Sequence, residues 1–293
     1  MQYTMTKGNF INTSQGFFHY HVRGESGPQV HFCHGLSLSA GTYLPFLESL
    51  SGHDLKIFAP DLRGHGYSTK EKTIEVKNWD LFVKDLEQLV LGITHPPVIG
   101  IGHSIGGYFT YAAAALYPGL FSKIILLDPI ILPPRIVRLC ALARFTGLDR
   151  YHPLPRTTRK KKCEFASKEE ALDHYSGKGM FKSWKPEFVR AFVDTAIEQE
   201  SATTWELCCR PEFEAQIYES VPFETWRFAD LIRIPVLIVR GEKSTLFYEQ
   251  AGLKLAEKIR ECRFMTLEGL GHFLMMEDPD KVMDAILPFI RNP

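Results

Sequence analysis

A chain of 293 residues, 45% apolar and 23% charged, has the makeup of a folded globular protein and not of a disordered one. Its 34 Lys and Arg balance its 34 Asp and Glu, which excludes a global charge that would draw nucleic acid or an anionic membrane. The six cysteines make no C-x-x-C pair, so a zinc knuckle or disulfide framework is excluded in favour of reduced, packed thiols.

The polar start, Met1 to Phe10, has no apolar core of a secretory signal. No apolar run reaches the ~20 residues of a membrane span. A soluble, cytoplasmic protein without stable membrane insertion is expected. Residues 16–23 and 29–33 read as strands separated by a turn over residues 24–28, and residues 55–59 as a third strand. Residues 76–90 read as a helix, because Val76, Trp79, Val83, Leu86 and Val90 recur at intervals of three and four. The short apolar runs 98–101, 124–127 and 236–239 have the character of strands covered on both faces, and 263–267 of a last strand. A final helix starts at Asp278-Pro279, a cap followed by a first-turn proline. Strands alternating with helices predict an α/β fold with a mostly parallel sheet.

The alternation stops between Pro133 and about Phe223. That stretch is helical in pattern, rich in aromatics and bases, and shows no convincing buried strand. It reads as a helical insertion, residues 133–223, lying over a core made of residues 1–132 and 224–293. From Arg156 to Lys162 five of seven residues are basic, a pattern usual for a solvated face. Guidance of an anionic substrate, contact with a membrane surface and simple solubility of the insertion all stay open for this run.

Gly102-His103-Ser104-Ile105-Gly106 carries the sharpest chemical signal. It follows an apolar strand and opens a small-residue helix, the strand–turn–helix setting that presents a nucleophilic serine. Small residues at Gly102 and Gly106 let strand and helix approach, and the helix start aims its N–H groups at a developing oxyanion.

Three further turns resemble those of α/β-hydrolases: His34-Gly35 after an early strand, the Asp61–Ser68 stretch Asp-Leu-Arg-Gly-His-Gly-Tyr-Ser, and Gly271-His272 after the last strand. This resemblance covers the chain apart from the insertion. It implies Ser104 as nucleophile, His272 as general base, and the amides of Leu36 and Ile105 as oxyanion donors. His34, His65 and His103 are read as structural. Ser104 at the elbow argues against dehalogenases and epoxide hydrolases of this fold, which carry Asp there.

The acid departs from the pattern. Where the family places an Asp, three or four residues past Gly241, this chain has Ser244 and Thr245. Asp128, at the end of the preceding strand, is the preferred replacement and Glu242 the alternative. A Ser–His pair oriented by a neutral group, or an inactive protein, is also open.

The resemblance implies an enzyme that cleaves carboxylic esters, with thioesters and lactones open, and that needs no cofactor or metal. A C–C bond or amide hydrolase on the same residues, or a non-catalytic small-molecule-binding homologue, are the alternatives. Trp184, Phe188, Trp205, Tyr218, Phe223 and Trp226 are candidate walls of an apolar acyl or aromatic pocket.

Overall fold

A computed structural model describes residues 8–70 and 75–292. Residues 1–7 of the polar start lie outside the described residues. Strands β1 (Asn9–Thr13), β2 (Gly16–Arg23) and β3 (Gln29–Cys33) lead through α1 (Leu44–Ser51) to β4 (Lys56–Pro60). Then follow α2 (Asp80–Ile93), β5 (Val98–His103), α3 (Ile105–Leu116) and β6 (Phe121–Leu127). The intervening segment holds α4 (Pro134–Phe145), α5 (Pro153–Thr158), β7 (Glu164–Phe165), α6 (Lys168–Tyr175), α7 (Pro186–Ala196), β8 (Ile197–Ser201), β9 (Thr204–Leu207) and α8 (Pro211–Glu219). The chain ends with β10 (Val236–Gly241), α9 (Glu249–Lys258), β11 (Cys262–Leu267), α10 (Leu274–Glu277) and α11 (Pro279–Arg291).

Eight strands form one sheet in the order β1-β2-β4-β3-β5-β6-β10-β11. From β4 to β11 all pairings are parallel; only β1 with β2 and β2 with β4 are antiparallel. β5 lies in the interior of this sheet and is buried along its whole length, so its run of small and branched apolar residues meets side chains on both faces. One face packs on α1 and α11 through Phe32, Ile57, Ile101, Val239 and Ile286. The other packs on α2, α3 and α9 through Cys33, Phe82, Phe109, Leu126 and Leu255.

Two expectations about elements are corrected. The helix expected over residues 76–90 begins four residues later, at Asp80. The Val76 amide donates to Gln216 Oε1 (3.0 Å), the Trp79 indole to the Ile217 carbonyl (3.0 Å), and Asn78 Oδ1 accepts from the Asp80 amide (3.1 Å). Val76 and Trp79 are buried, but held by α8 and not by helical continuation. The second correction concerns residues 133–223, which contain a three-stranded antiparallel sheet, β7-β9-β8, where no buried strand was expected. Strands of two to five residues are too short to show a two-residue alternation.

That segment contributes no strand to the large sheet. It is anchored on the core by α7, whose Phe188, Val189, Phe192 and Val193 are buried. Thr195 Oγ1 sits 2.7 Å from Ser39 Oγ, beside the helical turn Ala40–Tyr43.

Candidate active site

β5 delivers the chain to Ser104 and α3 takes it away. Ser104 has φ 57° and ψ −122°, a left-handed conformation that a serine adopts only where its surroundings impose it. Here the Ser104 amide donates to the Leu127 carbonyl (3.0 Å), and the Ser104 carbonyl accepts from the Ile130 amide (3.0 Å). The two glycines make the bend passable: a Cβ on Gly102 would lie 2.4 Å from the Gly106 carbonyl oxygen, and one on Gly106 2.3 Å from that of Cys33. The result projects Oγ off the sheet's C-terminal edge.

His272, in the turn after β11, brings Nε2 to 2.9 Å from Ser104 Oγ. Its Nδ1 lies 2.6 Å from Asp128 Oδ1. The three side chains are almost withdrawn from solvent, and Asp128 is fully buried. With Nδ1–H directed at a carboxylate, Nε2 is left as the acceptor that faces the serine hydroxyl.

Asp128 sits directly after β6 with φ 44°, its amide donating to the Val239 carbonyl (2.7 Å). Its carboxylate is fully engaged: Oδ1 accepts from Ser244 Oγ (2.6 Å) as well as from His272, and Oδ2 from the Gly241 amide (2.9 Å). Glu242, the alternative acid, points elsewhere. It is exposed, and its Oε2 accepts from the Gly269 amide at 2.8 Å. Ser244 therefore stands where an Asp was expected and donates to the acid that stands one strand away.

The Gly35 turn lies against the elbow, since a Cβ on Gly35 would come within 3.3 Å of Ser104 Cβ. The Gly35 amide donates to Tyr43 Oη (2.9 Å) and the Ser37 amide to His65 Nε2 (3.1 Å). Between them the Leu36 amide has no protein acceptor among the described residues, nor does that of Ile105 at the first position of α3. Two amides without partners beside a nucleophile are what an oxyanion needs.

Buried histidines brace this corner. His34 donates from Nδ1 to the Gly35 carbonyl (2.8 Å) and accepts the Leu62 amide at Nε2 (2.8 Å). His65 donates to the Arg63 carbonyl (2.9 Å). His103 Nε2 donates to the His272 carbonyl (2.9 Å), so its Nδ1 is the acceptor for the Tyr43 hydroxyl at 2.6 Å. Burial holds all three neutral by lowering their pKa values, that of His65 to about 3. A continuous path, Gly35–Tyr43–His103–His272, thus ties the Gly35 turn to His272. Tyr43 carried no sequence signal for this role; the path joins residues as far as 169 positions apart.

Of the candidate wall aromatics, Trp184 packs on the turn that carries His272. Its ring packs 5.1 Å from Phe273, whose ring lies 4.9 Å from His272, and its indole N–H is buried with no partner among the described residues. Phe188 is wholly buried in the α7 contact. Trp226 donates to the Leu132 carbonyl, Tyr218 to Glu214, and Phe223 and Trp205 carry Arg144 and Lys168 over their rings. The contacts of these five are thus with neighbouring protein groups. Phe273, next in the chain after His272, and His103 both set their rings 4.9 Å from the imidazole.

The model of the alpha/beta hydrolase family matches residues 32–285. The chain belongs to that family. Human monoacylglycerol lipase ABHD6 is 25% identical over 284 residues, 94% of this chain and 79% of the lipase. A 2-(acetamidomethylene)succinate hydrolase of Mesorhizobium japonicum is 24% identical over 267 residues, 90% of this chain and 88% of its own. Human monoglyceride lipase is 37% identical over 103 residues only, and the chain spans about a third of that enzyme (34%). The crystal structure of E-2-(acetamidomethylene)succinate hydrolase superposes with a TM-score of 0.77 at 19% identity, covering 97% of this chain and 99% of the other, which establishes the shared fold.

Proposed function

We propose that this family member is a serine hydrolase of carboxylic esters, with Ser104, His272 and Asp128 as its relay and residues 133–223 as a cap over the site. One observation carries the proposal: Oγ, the imidazole and a fully buried carboxylate stand in line at 2.9 Å and 2.6 Å. Ser104 Oγ attacks the ester carbonyl carbon while His272 Nε2 takes its proton. The carbonyl π electrons move onto oxygen, where the Leu36 and Ile105 amides hold the charge. Collapse re-forms the carbonyl and breaks the C–O bond, and His272 hands its proton to the leaving alcohol. Water, deprotonated by the same imidazole, then cleaves the acyl-enzyme and regenerates the serine. Asp128 stays ionised and stabilises the imidazolium.

The apolar side chains of Phe273 and Trp184 beside the base support a substrate with an apolar acyl or aromatic part. Relatives named as monoacylglycerol lipases point the same way. The test is covalent labelling by a fluorophosphonate probe, followed by hydrolysis of fluorogenic esters of graded acyl length. Labelling of the parent, its loss in Ser104→Ala, and turnover of the esters are expected. A folded parent that neither labels nor turns over would leave a binding protein in place of an enzyme.

A further inference from the structure

Within the intervening segment, residues 139–154 carry the longest run of exposed large apolar side chains among the described residues. On α4 only Val137 is buried, and the opposite stripe presents Arg135, Arg138, Leu139, Leu142 and Phe145 to solvent, Phe145 with 89% of its surface exposed. The chain then folds back, the Leu148 amide donating to the Ala143 carbonyl (2.8 Å). It adds Leu148 and Tyr151, and then Leu154 in the first turn of α5, all exposed. Six large apolar side chains are exposed within sixteen residues, where elsewhere among the described residues such side chains are exposed singly or in twos and threes, as at Leu91, Leu231 and Leu253. An exposed patch of this kind marks a contact surface.

Its charge says which contact. Residues 134–162 contain nine Lys and Arg against one acid, Asp149, in a chain that is neutral overall. Part of that charge is matched internally. Arg144 meets Asp149, Arg159 meets Glu212 and Glu219, Lys161 meets Glu214, and Lys162 meets Glu170. Arg135, Arg138, Arg150, Arg156 and Lys160 have no carboxylate within ion-pair distance among the described residues, and all five are exposed. Arg138 and Arg150 flank the leucines and phenylalanine in sequence.

We propose that this face, α4 with residues 146–154, docks on the surface of an anionic lipid bilayer. Apolar side chains set among cations are what an interfacial helix needs, with the leucines and Phe145 entering between headgroups and the arginines meeting lipid phosphates. No helix of the described residues is long and apolar enough to cross a membrane. A second copy of the chain fits this face poorly, because a twofold contact would set the unmatched cations of one copy against those of the other. The face lies outside the relay, and the proposal does not depend on the ester reading.

Co-sedimentation with phosphatidylcholine vesicles, with and without phosphatidylserine, tests it. Binding to the mixed vesicles is expected, with weak binding to the neutral ones and loss at high salt, each surface cation strengthening binding roughly fivefold. Leu142→Ser/Phe145→Ser and Arg138→Glu/Arg150→Glu should each weaken binding by about tenfold or more. Circular dichroism controls for folding, and turnover of a water-soluble ester, where the parent has it, should be unchanged in both variants. Parent protein that ignores both vesicle types, or variants that bind as the parent does, would overturn the proposal. So would a dimer in gel filtration that dissolves in Leu142→Ser/Phe145→Ser without vesicle binding in the parent, which would make the face a protein interface.

Discussion

Ser244 donates to the same carboxylate oxygen of Asp128 that His272 Nδ1 reaches, both at 2.6 Å. Asp128 stands at the end of β6, one strand away from the position past β10 where the family resemblance implies an acid, and Ser244 at that position holds its carboxylate. Because these strands are neighbours with Val239 paired to Leu127, either end can reach the same imidazole.

Exchanging the two positions tests this relationship. Asp128→Asn should lower kcat by on the order of 10⁴-fold, since an amide cannot stabilise the imidazolium and favours the wrong tautomer. Adding Ser244→Asp should recover about tenfold or more, a gain of roughly 1.4 kcal/mol in the transition state. Glu242→Gln should leave turnover unchanged, because that carboxylate is spent on the Gly269 amide. Steady-state kinetics of all three, with unfolding curves as control, decides it; an inactive Glu242→Gln would reverse the assignment.

How far this site was legible in the sequence depends on backbone demand. Gly102, Gly106 and the His34-Gly35 turn are dictated by close approaches that exclude other residues, so they stand out as motifs. Asp128 could be proposed only because the usual acid was missing. Tyr43 could not be found at all, for a hydroxyl that links Gly35 to His103 leaves no local pattern. The intervening segment was least legible, because its aromatics serve packing and cation contacts as readily as a pocket, and β7 to β9 are too short to carry a period.

Tyr43→Phe removes one oxygen that both accepts from the Gly35 amide and donates to His103. Two fully buried polar groups then lose their partner, at a cost of about 1–3 kcal/mol each. Urea unfolding should show a loss of roughly 2–6 kcal/mol at unchanged m-value. A lower kcat is expected as well, since the oxyanion turn and the base are joined through this oxygen. Stability within experimental error of the parent would show that the path carries no load.

Arg63 and Asp85 form a buried, two-pronged pair, Nε to Oδ2 at 2.8 Å and Nη2 to Oδ1 at 2.7 Å. It fixes the turn whose Arg63 carbonyl accepts from His65, and through His65 the Ser37 amide. Asp85→Ala strands a guanidinium in the interior and should cost about 3–5 kcal/mol. Arg63→Met/Asp85→Leu, which removes both charges, should be markedly more stable than Asp85→Ala. Denaturant midpoints compare them; equal losses in the single and double variants would mean that packing, and not the stranded charge, sets the cost.

Acid should unfold this protein early. Burial lowers the pKa of His31 and His65 to about 3, that of His21 to about 4, and those of His34 and His103 in the same direction. An unfolded histidine titrates near 6.5, so below about that pH the unfolded chain binds protons that the folded chain refuses. Stability is therefore complete above about pH 6.5 and falls as the pH drops, by about 1.4 kcal/mol per unit for each such histidine. His21, His31 and His65 alone, whose values fall to about 4, 3 and 3, would remove roughly 8 kcal/mol of a typical 5–15 kcal/mol within about two pH units. His31 offers the sharpest test, because it is fully buried and neither ring nitrogen has a partner among the described residues. His31→Leu removes both the unpaired polar atoms and one proton of acid uptake. It should stabilise by about 1–3 kcal/mol at neutral pH and by more in acid. Urea unfolding at about pH 7.5 and about pH 5.5 reads both effects, and a variant with the parent's acid slope would show that His31 does not titrate on unfolding.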